Sequence, residues 1–101
     1  MILDDVKARL RISHTKLDND INGTIKTAKA EMIRLGILPS KAENDEDPLI
    51  AEAIKTFCQK QYTDDEKKQE MFTLSWEVQV DGLRKHRGYN KEENQVEEDV
   101  Q

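Results

Sequence analysis

The feature that most constrains this chain is a pair of helical segments between residues 48 and 89, separated by a short polar break. The first segment starts at Asp47-Pro48, where the aspartate can cap a helix and the proline suits the first helical position. The break, Thr63-Asp64-Asp65-Glu66, has the pattern of a capping box that ends one helix and starts the next. Apolar side chains recur at helical spacing along the first segment and predict one buried stripe, formed by Ile50, Ala53, Ile54, Phe57 and Cys58.

The second segment admits two interpretations. Between residues 72 and 80, apolar and polar side chains alternate, as in a half-buried strand. Helical spacing is present as well, in Phe72, Trp76, Val80 and Leu83. Residues 66–70 are good helix formers, and the cations of residues 84–87 followed by Gly88 are typical of a helix C-terminus. Because a single strand would find no partner elsewhere in the chain, we predict a helix, with a strand as the alternative.

Two further helices are predicted in the first half of the chain. The first is short, covers residues 3–12, and has acids in its first turn and cations in its last. Ser13 or Thr15 is the predicted N-cap of the second, which runs from about Leu17 to Leu35 and ends at Gly36. The second helix is predicted because apolar residues recur at helical intervals, namely Leu17, Ile21, Ile25, Ala28, Met32 and Leu35.

Two other segments carry weaker signals. Gly23 lies inside the second predicted helix, and we interpret it as a tolerated weakness rather than as a site of close approach by a neighbouring backbone. Residues 38–47 contain Pro39, Ser40, Asn44 and Asp45, and are predicted to form a polar loop.

Composition places the chain among single soluble domains. It has 101 residues, 37% charged and 36% hydrophobic, and contains no apolar run long enough to span a membrane. Its first residues turn acidic too early for a secretory signal. The single cysteine, Cys58, excludes an internal disulfide and fits a reducing compartment, so we expect synthesis in a cytoplasm.

The acidity of the chain is concentrated at its C-terminus. The formal net charge is −5, yet residues 90–101 alone hold five acidic side chains and one basic side chain. Their only apolar residues, Val96 and Val100, cannot bury enough surface to offset the cost of ordering. We therefore predict an all-α fold, with a small four-helix domain over residues 1–89 and a disordered acidic tail over residues 90–101.

The sequence offers little for catalysis. It contains no glycine-rich phosphate loop, no His-Glu-x-x-His motif and no paired-cysteine metal spacing, so we predict no catalytic residue, cofactor or metal. A catalytic pair between Cys58 and His14 or His86 is conceivable, but a buried cysteine behaving as a small apolar residue is favoured. His86 is expected to interact with the C-terminal end of its helix.

The last predicted helix is apolar over more than half of its circumference, which is more than a small domain can cover. We expect Phe72 and Trp76 to lie in the core. The residues predicted to contact another subunit are Met71, Leu74 and Val78. The one basic cluster includes Arg84, Lys85 and Arg87 as candidate phosphate contacts, although stabilisation of the helix C-terminus explains these cations better.

The chain resembles the head–tail connector, or adaptor, family of tailed bacteriophages, also known as phage DNA-packaging proteins. The resemblance covers residues 1 to about 89. It rests on Leu3-Asp4-Asp5-Val6-Lys7 and Leu10-Arg11-Ile12, on Ile25, Ala28-Lys29 and Met32-Ile33, on Pro48-Leu49-Ile50, Ala53-Ile54-Lys55 and Phe57-Cys58, and on Tyr62-Thr63-Asp64-Asp65 and Gly88-Tyr89. The β-branched character of residues 76–80 and the long acidic tail depart from the family pattern.

This resemblance implies an all-α subunit, made in the cytoplasm of a bacterial host and located at the head–tail junction of the virion. Such subunits form a ring, typically twelve-fold, beneath the portal protein. The ring would extend the DNA channel, help to retain the packaged genome and offer a platform to the next tail-completion protein. DNA would pass through it without sequence-specific contact, no membrane is involved, and no catalytic residue is carried over.

Two alternatives belong to other functional classes. In a small DNA-binding regulator, the segments around Thr63 would form a helix-turn-helix. Against this, the second helix has Phe72, Leu74, Trp76 and Val78 where base-reading polar side chains belong, and the domain is nearly neutral. A small hydrolase would need a catalytic constellation, and the sequence shows none.

Overall fold

A computed structural model of the protein describes residues 2–90, and these residues form five helices. They are α1 (Ile2–Leu10), α2 (Asp18–Arg34), α3 (Pro39–Ala42), α4 (Pro48–Tyr62) and α5 (Glu66–Lys85). Residues 2–90 contain no strand, only an isolated antiparallel bridge between Ile37 and Asn90. The all-α prediction is therefore confirmed, and residues 72–80 belong to helix α5 rather than to a strand.

The fold has four longer helices, as predicted, and one short helix that was not predicted. Residues 38–47 were expected to form a loop, but α3 occupies one turn of this segment. Pro39 stands at the start of α3, where its missing N–H costs nothing. Ala42 at its end is fully buried, so the turn contributes to the core and is not only a connection.

Helix α2 starts within one residue of its predicted position, but its predicted N-cap is wrong. Neither Ser13 nor Thr15 caps this helix; Leu17 occupies the N-cap position and makes no side-chain capping hydrogen bond. Asp18 and Asp20 lie in the first turn, where negative charge is favourable near the positive end of the helix dipole. The start of α2 is therefore favoured by charge rather than by a side-chain cap.

The predicted end of α2 is correct. Gly36 has φ of +110°, a conformation that side-chain-bearing residues rarely adopt. The Gly36 N–H donates to the Ile33 carbonyl at 3.1 Å, and the Ile37 N–H donates to the Met32 carbonyl at 3.0 Å. Met32 and Ile37 are both fully buried, which completes the hydrophobic contact of a Schellman motif.

The break between α4 and α5 is capped by a different residue from the one predicted. Asp47 caps α4 as expected, since its Oδ1 accepts from the Leu49 N–H at 2.9 Å. The N-cap of α5 is Asp65 rather than Thr63, with Oδ1 accepting from the backbone N–H of Lys67 at 2.9 Å and of Lys68 at 3.2 Å. A carboxylate can accept both bonds at once and carries a favourable charge, which explains why it displaces a threonine hydroxyl here.

Helix α4 is the centre of the fold and packs against α1, α2 and α5. Its predicted stripe is confirmed, because Ile50, Ala53, Ile54, Phe57 and Cys58 are all buried.

The interpretation of Gly23 in α2 as a tolerated weakness agrees with its surroundings. No neighbouring atom would lie within 4 Å of a Cβ at this position, so this glycine does not serve a close approach between backbones.

Polar contacts link the elements around α4. Arg9 of α1 forms a bidentate ion pair with Glu52 of α4, with N–O distances of 2.9 and 3.0 Å.

Beyond α5, the chain returns towards the start of α4, where the Tyr89 hydroxyl donates to Asp47 Oδ2 at 2.6 Å. The Leu38 N–H donates to the Tyr89 carbonyl at 2.9 Å, so this C-terminal segment is fixed to the α2–α3 connection. Except for its first residue, Asn90, the predicted acidic tail lies outside the described residues.

Candidate subunit-contact surface

Helix α5 presents apolar side chains on two opposite sides. Trp76, Val80 and Leu83 are buried, and the Trp76 ring lies against Phe57 of α4 with ring centroids 4.8 Å apart. The three residues predicted to contact another subunit are on the outside: Met71 is 53% exposed, Leu74 63% and Val78 72%. With about 100° of rotation per residue, these outer positions project roughly opposite to the buried ones.

A fourth exposed residue, which the sequence analysis missed, extends this surface onto α4. Leu49 is 58% exposed and lines a groove together with Val78 of α5. Its sequence signal was its position directly before Ile50, because an apolar residue there falls outside the buried stripe of α4. We call Leu49, Met71, Leu74 and Val78 the contact surface.

The contact surface gathers exposed apolar side chains on one part of the molecule. Within residues 2–90, these four are the large hydrophobic side chains that are exposed. All of them lie on the α4–α5 pair, and Met71, Leu74 and Val78 also share a shallow depression along α5. Apolar residues gathered on one face mark interaction sites more often than apolar residues scattered singly over a surface.

Phe72 differs from its predicted position. It is only partly buried, whereas Trp76, one turn later, is in the core. The first turn and a half of α5, residues 66–71, is exposed, so Phe72 lies where burial begins and Trp76 lies where it is complete.

The predicted phosphate contacts lie at the C-terminal end of α5. Arg84 and Lys85 are exposed, and both form ion pairs with Asp81 at 2.8 Å. Asp81 precedes Arg84 by three residues and Lys85 by four, so all three lie on one face of α5. Arg87 follows the helix and is exposed. Since two of the three cations share a carboxylate within α5, their local pairing and the helix C-terminus account for much of this cluster.

The titratable residues of a conceivable catalytic pair do not form a reactive site. Cys58 is fully buried, and burial raises the pKa of its thiol to about 12. An activated cysteine needs the opposite shift. His86 is the C-cap of α5, as expected from sequence, and its Nδ1 accepts from the Gly88 N–H at 3.1 Å. His14 is exposed in the α1–α2 connection, where its Nδ1 accepts from the Lys16 N–H.

The described residues do not suggest a metal centre or a membrane span. Across residues 2–90, no three or more His, Cys, Asp or Glu side chains are grouped so that they could hold a metal ion. Among the helices of the same range, none combines the length and the apolar character needed to cross a bilayer.

Comparison with known proteins identifies the family. A family model described as "Phage connector protein" matches residues 2–81, which include α1 to α4, most of α5 and all four residues of the contact surface. The match ends before the basic cluster and the acidic region. No curated protein and no solved structure matches the chain. Because the matched range is most of the chain, the protein belongs to the phage connector family and is a structural component of a phage.

Proposed function

We propose that the chain is a head–tail connector subunit of a tailed phage or prophage, and that copies of it form a ring beneath the portal protein. The observation that carries this proposal is the second apolar side of α5. The core is already completed by Trp76, Val80 and Leu83, so the exposed Leu74 and Val78 are not needed to hold α5 on α4. A face of this kind is expected in a subunit that is completed by its neighbours.

The family match supports a connector role, and the finer parts of the proposal go beyond that match. In this role the ring is twelve-fold, lies at the head–tail junction of the virion and is assembled from chains made in the host cytoplasm. Its upper partner is the portal protein and its lower partner is the next tail-completion protein. The packaged DNA runs through the central channel, and the ring helps to retain it without reading its sequence.

The proposed work is mechanical, and ion pairs join α1 to its neighbouring helices. The paired hydrogen bonds between Arg9 and Glu52 fasten α1 to α4, and Lys7 pairs with Asp18 at 2.8 Å between α1 and α2. Each contact joins two different helices and adds to the packing of α1 against the rest of the domain.

The contact surface can be tested by placing a charge on it. Leu74→Asp and Val78→Asp should leave the melting temperature of the monomer nearly unchanged, because both side chains are exposed. Both should abolish self-association in a concentration series followed by sedimentation velocity and light scattering, because an unpaired charge is costly at an apolar contact. Ala30→Asp is the matched control: Ala30 is an exposed residue of α2, outside the contact surface, and the change adds the same charge.

Three results would contradict the proposal. The native chain could remain monomeric throughout the series, the two α5 variants could associate as the native chain does, or Ala30→Asp could block association equally. Sequence-specific binding of duplex DNA by a dimer of the native chain would instead support the regulator. The exposed apolar residues of α5 give that alternative no structural support, since polar side chains are needed to read base edges.

A further inference from the structure

A narrow apolar groove lies between the start of α4 and the end of α5. It is lined by Leu49 of α4 and by Val78, Gly82 and Leu83 of α5, and Tyr89 also contributes to its wall. The groove encloses about 280 Å³. Glu52 is at its edge, where its carboxylate is engaged by Arg9. This space can accommodate small apolar side chains.

The chain leaves the described domain beside this groove. The Asn90 N–H donates to the His86 carbonyl at 3.0 Å, and Asn90 also forms the bridge to Ile37. Residues 91–101 therefore start from a fixed point next to Tyr89, which lines the groove. Val96 is six residues beyond Asn90, a distance of at most ~20 Å along the chain, so the groove is within its reach.

The sequence of residues 91–101 complements this part of the surface. Val96 and Val100 are four residues apart, a spacing that places both on one side of the chain in a helix and in an extended segment alike. Residues 91–101 contain five acids and one lysine, for a net charge of −4. Residues 81–89, at the end of α5, contain three cations and one carboxylate, for a net charge of +2.

We propose that residues 91–101 bind the groove of their own subunit, with Val96 and Val100 in the apolar space and the acids beside the basic end of α5. A segment that cannot form a core of its own can still be ordered on a surface of this kind. The binding itself does not depend on ring formation.

A nitroxide at the C-terminus of the full chain tests this placement. Gln101→Cys provides the attachment site, and Cys58 does not compete for the label because it is fully buried. Amide signals of Leu49 and Gly82 should lose most of their intensity through paramagnetic broadening. The amide of Gly23 is the internal control, since its neighbour Thr24 lies 3.5 Å from Tyr62, at the opposite end of α4 from Leu49.

The matched variant, Val96→Ser with Val100→Ser, keeps the charge and length of the segment. It should restore the Leu49 and Gly82 signals if the valines hold the segment in the groove. Equal broadening with and without the valines would overturn the proposal, because it would show only that the label is tethered nearby. Broadening in isotope-labelled chains mixed with spin-labelled, isotope-free chains would overturn binding within one subunit.

The same measurement separates this proposal from the connector function. Leu74 does not line the groove, so Leu74→Asp should block self-association while the broadening at Leu49 persists. Loss of the tail contact with association intact would refute only the tail proposal. Association that survives Leu74→Asp would count against the contact surface alone.

Discussion

Replacing Trp76 by alanine is the most direct test of how α5 is held on the domain. The Trp76 side chain is 6% exposed, and its ring is 4.8 Å from the ring of Phe57. Truncation of a buried tryptophan costs about 3–5 kcal/mol of unfolding free energy. Within that loss, the aromatic contact contributes about 0.5–1.5 kcal/mol beyond the buried area. Since small domains are stable by only ~5–15 kcal/mol, this loss removes between about a fifth and all of the native stability.

Urea denaturation followed by far-ultraviolet circular dichroism measures this loss without depending on tryptophan fluorescence. At about 4–8 °C per kcal/mol for a domain of this size, the melting midpoint should fall by at least about 12 °C. Leu74→Ala is the matched control on the exposed side of the same helix, and it should change stability by no more than ~0.5 kcal/mol. A Leu74→Ala variant that loses as much stability as Trp76→Ala would show that the two sides of α5 have been assigned the wrong way round.

Three further predictions concern glycine, acid and thiol chemistry. Gly23→Ala should stabilise the protein by about 0.5–1 kcal/mol in denaturant titrations because its site is helical and open, whereas Gly36→Ala should cost about 1–2 kcal/mol because φ there is +110°. The hydrogen bond from the Tyr89 hydroxyl lowers the pKa of Asp47, so this contribution to stability is present above the unfolded-state pKa of ~3.9 and is lost as pH falls through the lower folded value. Tyr89→Phe should therefore lose less stability than the native chain between neutral pH and acid, and equal losses would contradict this reasoning. Cys58 should react with a thiol reagent at mildly alkaline pH only as fast as the protein unfolds, since its pKa is about 12; a rate typical of a free thiol would contradict its burial.

The sequence predicted those parts of the fold that depend on periodicity or on a single residue type. The stripe on α4 followed from helical spacing, and Gly36 marked the end of α2 because few other residues adopt its backbone conformation. The starts of helices were harder to predict, because several residues can cap and tertiary contacts select among them. Asp65 rather than Thr63 caps α5, and α2 begins at a position that has no side-chain cap. Helix α3 escaped prediction because one turn has no period to detect.

The contact surface was predicted in part, for a physical reason. Excess apolar residues on one helix can be counted from sequence, which identified Met71, Leu74 and Val78 as candidates, and the structure places all three outside the core. Leu49 could not be joined to them, because its proximity to Val78 depends on how α5 packs along α4. The pairing of Arg84 and Lys85 with the same carboxylate could not be predicted either. Helical spacing allows each cation several partners, and the side-chain conformations determine which pair forms.

The arrangement of α5 has a consequence for how a connector subunit can vary. The inner side of α5, which includes Trp76, is buried and holds the helix on α4. The outer side, which includes Leu74, is exposed and does not contribute to this packing. Changes on the outer side can therefore alter the choice of neighbour at little cost to the monomer, whereas changes on the inner side cannot. Leu49 and Val78 are exposed as well, although the groove that they line also includes the buried Leu83. Substitutions at these two positions should therefore leave the monomer folded, like those at Leu74, while they change the apolar surface that a neighbouring subunit of the proposed ring would meet.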